Sequence, residues 1–200
     1  MLSQNDLTEN MLLFFHPRPF RMHVFAAGAA ARWRVVGSGV IDGKGAIKGW
    51  GVHEVAFYSD RLCTKQIEIK PGTIVASGTV LYPNTRYVKE NAFDGKLDTN
   101  WAGRRGIGGF WIGAEFENGT QVVQCATVHQ QKQCCKYFAH NVALERYNEE
   151  TEAWIAVACR PNFPRGKTAS ITPFDWLPRC TSMFRAGTVV NDMCIPARRS

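Results

Sequence analysis

Short stretches of strand-forming residues recur along most of this chain, and turn-forming residues separate those stretches. Segments rich in β-branched and aromatic residues occur at 32–36, 51–58, 113–116, 121–129, 142–147 and 154–158. Glycine, asparagine and proline lie between them, a pattern that is typical of strands joined by turns. Several short strands in this arrangement predict an all-β antiparallel sandwich, and they disfavour a parallel α/β sheet.

Two pairs of neighbouring strands are predicted around short turns. The segments 113–116 and 121–129 flank a turn at 117–119, and the segments 142–147 and 154–158 flank a turn at 148–151. Asparagine in both turns can hydrogen-bond the local backbone, which favours chain reversal. The side chains that we expect in the core are Trp33, Val55, Phe57, Phe93, Trp101, Trp111, Ile112, Val123, Leu144 and Trp154.

The two ends of the chain do not follow this pattern. Residues 1–31 begin with a helix-capping stretch and an apolar run that prolines end, which predicts a short N-terminal helix. No Lys or Arg precedes Arg18, so the charge order of a secretory signal is absent, and we interpret the segment as a docking arm. Residues 160–200 are rich in proline and aromatic residues, which predicts an irregular extension. The sandwich is expected at 32–159.

The excess positive charge, a formal net +7, lies entirely in the two ends. Residues 35–159 carry 13 Lys/Arg and 13 Asp/Glu, whereas residues 1–34 contribute +2 and residues 160–200 contribute +5. A dispersed basic tail without stacked aromatic residues on a sheet face is poor evidence for nucleic acid, so we expect no such partner. No apolar run approaches the ~20 residues of a membrane span, so we expect no transmembrane segment.

Seven cysteines are many for a chain of 200 residues. No pair of C-x-x-C motifs is present, which disfavours a zinc site. This density favours disulfides in an oxidising compartment, either extracellular or the lumen of an organelle; the alternative is reduced, buried cysteines that act as small apolar residues. Asn118 begins an Asn-x-Thr sequon in a turn, and it is a glycosylation candidate if the chain passes through a secretory lumen.

The stretch around Asp94 brings several oxygen ligands into a tight turn. Asp94 and Gly95 are turn-forming residues, and Asp98 and Thr99 follow within five residues. Carboxylate, hydroxyl and backbone carbonyl oxygens that converge in one turn are the ligands that calcium prefers. The alternative interpretation is a plain Asx-type turn with solvated acids.

Two nearby motifs carry a resemblance to a known family. Residues 92–101 read AFDGKLDTNW and residues 110–116 read FWIGAEF. This combination resembles the F5/8 type C, or discoidin, family of galactose-binding-like jelly rolls, over residues 33–159. The resemblance implies a jelly roll with one structural calcium ion, held by Asp94, Thr99 and backbone oxygens, with Asp98 as a less certain ligand.

The order of segments departs from the usual order in that family. A segment of the type R-Y-ϕ-R-ϕ followed by ϕ-x-E-ϕ-x-ϕ usually closes the domain at its C-terminal end. Here RWRVV at 32–36 and VHEVAFY at 52–58 precede the Asp94 turn. The resemblance therefore implies a circularly permuted jelly roll, an arrangement that is tolerated when the termini lie close together at the surface.

Arg104 and Arg105 open a glycine-rich loop, RRGIGG. Discoidin-like domains meet their ligands with loops that project from one end of the barrel. The resemblance therefore implies that this loop contacts a sugar, an anionic lipid or an acidic protein, and the alternative is an ordinary solvated loop.

No catalytic set is recognisable in the chain. The five histidines are scattered, no G-x-S-x-G elbow or P-loop occurs, and Glu115 and Glu117 are interpreted as solvated. We expect no enzyme, and we favour a recognition module that binds a glycan, an anionic lipid or a protein surface. The alternative is a structural accessory subunit of a larger assembly, docked through residues 1–31 and 160–200 and peripheral to a membrane complex.

Overall fold

The structure, a computed structural model, describes residues 28–39, 49–79, 85–117, 119–132 and 137–172. Short 3-10 helical turns lie at Pro71–Thr73, Thr85–Tyr87 and Lys89–Ala92. The strands are β1 (Arg32–Ser38), β2 (Trp50–Tyr58), β3 (Gln66–Ile67), β4 (Ile74–Ala76), β5 (Trp101–Gly103), β6 (Phe110–Glu115), β7 (Cys125–Gln130), β8 (Asn141–Asn148), β9 (Ala153–Arg160) and β10 (Thr168–Ile171). The predicted all-β class is confirmed, whereas the predicted N-terminal helix lies outside the described residues.

The strands form two antiparallel sheets that pack as a sandwich. The first sheet has the order β4-β6-β1-β8-β9, and the second has the order β10-β7-β2-β3, with β5 also paired to β2. Strands β1 and β2 precede the Asp94 turn in the chain, yet each has neighbours on both sides. The circular permutation of a discoidin-like fold stays a prediction.

The core between the sheets is built around three tryptophans, Trp33, Trp50 and Trp101, which are fully buried. Of the ten side chains expected in the core, seven are buried there. Phe93, Trp111 and Trp154 are only half-buried. Trp111 and Trp154 lie on the outer face of the first sheet, because successive side chains of a strand point to opposite faces and the neighbours of Trp111 point inward.

One of the two predicted strand pairs is wrong. Strand β6 pairs with β1 and β4, and β7 pairs with β2 and β10, so these consecutive strands belong to different sheets and the chain between them crosses the sandwich. The other predicted pair is confirmed, because β8 and β9 form a hairpin. The Asn148 carboxamide oxygen accepts hydrogen bonds from the backbone N–H groups of Glu150 and Thr151 at 2.9 and 3.4 Å.

The sandwich continues beyond residue 159, where it was expected to end. Strand β10 pairs with β7 along its whole length, and Phe163, assigned from the sequence to the C-terminal extension, is 4% exposed and packs in the core. Pro161 and Pro164 lie before β10 and so do not interrupt its ladder. Residues up to Ile171 therefore belong to the sandwich.

A disulfide joins Cys63 to Cys125, and Cys159 is also disulfide-bonded. This confirms the expectation of disulfides, and it is compatible with an oxidising compartment. The first bond ties the hairpin after β2 to the start of β7, which are 62 residues apart in sequence. Among the described residues, no helix is long and apolar enough to cross a membrane.

Candidate functional site

One end of the sandwich gathers exposed basic side chains from several loops. The loop 104–109 enters β6 opposite the end of β1, since Phe110 pairs with Gly37. Lys132 lies two residues beyond the end of β7. The backbone N–H of Gly166 donates to the carbonyl of Gln130 at 3.0 Å, which brings Arg165 to the same end. We call Arg104, Arg105, Lys132 and Arg165, all exposed, the basic end.

The loop 104–109 is held in a fixed shape by backbone contacts. Gly106 and Gly109 exchange backbone hydrogen bonds of 3.0 and 3.1 Å, and the Trp111 indole N–H donates to the carbonyl of Ile107 at 2.9 Å. Gly108 and Gly109 have φ of 81° and 95°, which glycine adopts without strain. The tight turn leaves the Ile107 side chain 99% exposed at its tip.

Beneath this loop, the outer face of the first sheet holds a buried ion pair. Arg34 on β1 and Glu145 on β8 are direct neighbours in register, and Arg34 Nε and Nη2 each lie 2.7 Å from Glu145 Oε2. The Arg34 guanidinium lies 4.0 Å from the ring centre of Trp154 and 5.2 Å from that of Trp111. A Cβ atom added at Gly108 would lie 3.4 Å from the Arg34 guanidinium, so the loop passes close over the ion pair.

Burial disfavours the charged form of both partners in this pair. It lowers the pKa of Arg34 and raises the pKa of Glu145, and in each case the charge and hydrogen bonds of the partner oppose the effect. Neither charge is therefore stable at this position without the other.

The Asp94 turn is closed by its own side chains. Asp94 Oδ1 accepts a hydrogen bond from the backbone N–H of Lys96 at 2.9 Å, and the Thr99 hydroxyl donates to Asp94 Oδ2 at 2.8 Å. The structure thus brings Asp94 and Thr99 together, as the sequence predicted, in the geometry of an Asx turn. Asp98 is exposed.

A second carboxylate, Glu54 on β2, joins this turn. Its Oε2 accepts a hydrogen bond from the backbone N–H of Gly95 at 3.0 Å. Burial, with a smaller contribution from the charge of Asp94, raises the pKa of Glu54 to about 7, against the opposing hydrogen bonds of Gly95 and Lys96. Glu54 is not expected at this turn from the sequence, because it lies 41 residues before Gly95.

The donor set at this turn fits a hard cation only in part. Glu54, Asp94 and the Thr99 hydroxyl supply oxygen, and a cation beside two close carboxylates would relieve their mutual repulsion. However, the described residues contain no group of three or more His, Cys, Asp or Glu side chains that could hold a metal ion. Further ligands would have to be backbone oxygens and water.

A small cavity of about 100 Å³ lies between Ile67, Lys70 and Phe116. Small-molecule sites usually have several times this volume. None of its lining residues belongs to the basic end. The glycosylation candidate Asn118 lies outside the described residues.

Comparison with known proteins finds no matching family model, curated protein or solved structure. The two antiparallel sheets are compatible with the discoidin resemblance. The resemblance itself still rests on the motifs around Asp94 and Trp111, and it stays a prediction.

Proposed function

We propose that this protein is a non-catalytic recognition module whose basic end docks onto an anionic membrane surface. The observation that carries the proposal is the combination of exposed Arg104 and Arg105 with a fully exposed Ile107 on one held loop. Cations next to an apolar tip suit a surface of anionic headgroups over hydrocarbon. A glycan is less well supported, because the cavity described above is small and lies elsewhere.

The distribution of charge supports this choice. No Asp or Glu occurs among the described residues 101–114, 119–132, 137–144 and 160–172, which build most of the basic end. The opposite end carries both signs: glutamates at 115, 117, 149, 150 and 152 are exposed there, as are Lys65 and Lys70, and Lys70 lies 3.9 Å from Glu117. The basic end therefore presents a positive potential that the rest of the sandwich does not cancel locally.

The expected strength of docking follows from the number of cations. Each Lys or Arg near an anionic membrane contributes about 1 kcal/mol, so the four members of the basic end contribute about 4 kcal/mol. Such binding is reversible and weakens at high salt, because the interaction is screened beyond a Debye length of about 10 Å at 0.1 M.

Vesicle co-sedimentation tests the proposal. The full chain is mixed with phosphatidylcholine vesicles that contain or lack phosphatidylserine, and binding is expected only with the anionic lipid. Replacing Arg104 and Arg105 together by glutamine removes about 2 kcal/mol, which should lower partitioning about 30-fold. The Ile107→Ser variant should weaken binding as well.

A matched variant at the opposite end serves as the control. Lys65→Gln with Lys70→Gln removes the same charge from exposed positions, and it should change partitioning much less. Equal losses in the two double variants would show that only net charge matters. Either that result or a lack of binding to anionic vesicles would contradict docking through the basic end. Binding to an acidic protein in place of the vesicles would favour a protein partner.

We also propose that calcium stabilises the Asp94 turn. Glu54, Asp94 and Thr99 would hold the ion, and Asp98 is less well placed because, unlike Asp94, it takes no part in the hydrogen bonds that close the turn. The ion would supply charge neutralisation between the two carboxylates and thereby keep the turn closed. Its role in this proposal is structural, and no step of membrane docking depends on it.

The alternative function is that of an accessory subunit docked through the chain ends. Its support is the aromatic residues of the terminal segments, together with the net charge of +2 on residues 173–200, where four Arg stand against two Asp. Because β10 belongs to the sandwich, the appropriate truncation removes residues 1–27 and 173–200. A truncated chain that folds but no longer joins its native assembly would support this alternative, and unchanged assembly would contradict it.

A further inference from the structure

A β-bulge in β2 directs two adjacent side chains to the same outer face of the second sheet. The register between β2 and β7 shifts between Val52 and Glu54, so that Glu54 stands opposite His129 with His53 as the extra residue. His53 and Glu54 are both half-buried between buried neighbours, which breaks the usual alternation. Bulges of this kind re-aim side chains, and they are frequent next to functional sites.

The bulge brings two imidazole rings into contact. His53 and His129 have ring centres 5.6 Å apart, with their planes at 87°. Two imidazoles bound to one tetrahedral Zn²⁺ have ring centres roughly 5 Å apart, because each nitrogen lies about 2.1 Å from the metal. The observed separation of 5.6 Å between the ring centres is close to this value, as a metal ion shared by the two rings requires.

Both rings are already oriented through the same nitrogen. His53 Nδ1 lies 2.7 Å from the carbonyl oxygen of Thr99, an acceptor, so Nδ1 carries the proton and Nε2 keeps its lone pair. His129 Nδ1 lies 2.9 Å from the Thr168 hydroxyl, which can accept its N–H in the same way. Metal-bound histidines in proteins usually donate their second ring N–H to an oxygen in this manner.

We propose that His53 and His129 form a two-histidine site for a transition-metal ion that prefers nitrogen, such as Zn²⁺. The two Nε2 atoms are the ligands, and Thr99 and Thr168 position the rings. The described residues contain no third His, Cys, Asp or Glu close enough to complete a larger group, so water occupies the remaining positions. Imidazole ligands favour zinc and copper over calcium, so this site and the neighbouring Asp94 turn prefer different metal ions.

Calorimetric titration of the full chain with ZnCl₂, after alkylation of free thiols, tests the proposal. The wild type should bind one Zn²⁺ that His53→Ala and His129→Ala each lose or bind at least ~10-fold more weakly. Thr168→Val keeps both ligands but removes the oxygen partner of His129, so it should weaken binding about 10-fold. His140→Ala is the matched control, because His140 packs against Phe138 and has no bond to the pair.

Two further measurements keep the test decisive. Excess Ca²⁺ should not displace the Zn²⁺. In the wild type, substoichiometric Cu²⁺ should broaden the ring NMR signals of His53 and His129 before those of His140, which requires no substitution. Zn²⁺ binding that is unchanged in His53→Ala and His129→Ala, displacement by Ca²⁺, or broadening of all three rings together would overturn the proposal.

Discussion

Replacing Glu145 by glutamine should strongly destabilise the protein, although the two side chains have nearly the same shape. The substitution leaves the Arg34 guanidinium buried without its counter-charge. Arg34 is 7% exposed and Glu145 is 4% exposed, and the Nε hydrogen bond and the Nη2 contact both end on one oxygen, Oε2. The tryptophan rings on the outer face limit the access of water that could otherwise solvate the charge.

The magnitude follows from the burial of both groups. Removing one partner of a buried ion pair costs about 3 to 5 kcal/mol, because an uncompensated charge remains in the interior. For a domain of this size, each kcal/mol lowers the melting temperature by about 2 to 4 °C. We therefore expect Glu145→Gln to melt about 10 °C below the wild type. Replacing both partners, as Arg34→Met with Glu145→Leu, should restore most of the loss, because no charge is then buried.

Urea denaturation followed by tryptophan fluorescence measures these free energies, and a double-mutant cycle isolates the coupling between the two side chains. Arg32 and Glu149 provide the control, since they form an ion pair between the same strand β1 and the end of β8 with side chains 31% and 60% exposed. Glu149→Gln should change stability by less than about 1 kcal/mol. Because Gly108 rests against Arg34, Glu145→Gln should also weaken vesicle binding.

Two results would refute this reasoning. A loss below about 1 kcal/mol in Glu145→Gln would mean that Arg34 finds water or another partner at its position. A double variant as unstable as the sum of the single variants would mean that packing, and not the unpaired charge, determines the loss.

Three other predictions concern separate parts of the molecule. Replacing Cys63 and Cys125 together by alanine should lower stability by about 4 kcal/mol in chemical denaturation, because the bond closes a loop of about 62 residues. Chelation of calcium should lower the melting temperature of the wild type but not of Asp94→Ala, since a native-state ligand at a hundred times its Kd adds about 2.7 kcal/mol. Burial, followed by the charge of Arg165, lowers the pKa of His140 below its ordinary 6.5. The folded state therefore favours neutral His140, and this contribution to stability is present above pH 6.5 and lost on acidification. An NMR titration should show that the pKa of His140 rises in Arg165→Gln.

The sequence alone was sufficient for the fold class and for most of the core. Short segments of strand-forming residues separated by turns, with few helix signals between them, favour two sheets that pack face to face and bury the apolar side chains between them. Seven of the ten expected core residues are buried for this reason, Trp33 and Leu144 among them. The Asp94 turn was also predictable, because Asp94 and Thr99 are close in sequence and their hydrogen bonds are local.

Tertiary structure decided which strands pair and which distant side chains meet. Local pattern cannot distinguish a hairpin from a crossing between sheets, so the separation of β6 from β7 and the addition of β10 depended on long-range packing. The Arg34–Glu145 pair joins residues 111 positions apart, and Glu54 reaches a turn 41 positions away. Each of these polar groups is satisfied only by a neighbour that the folded sheets supply, which is why the candidate sites depend on the fold as much as on the motifs.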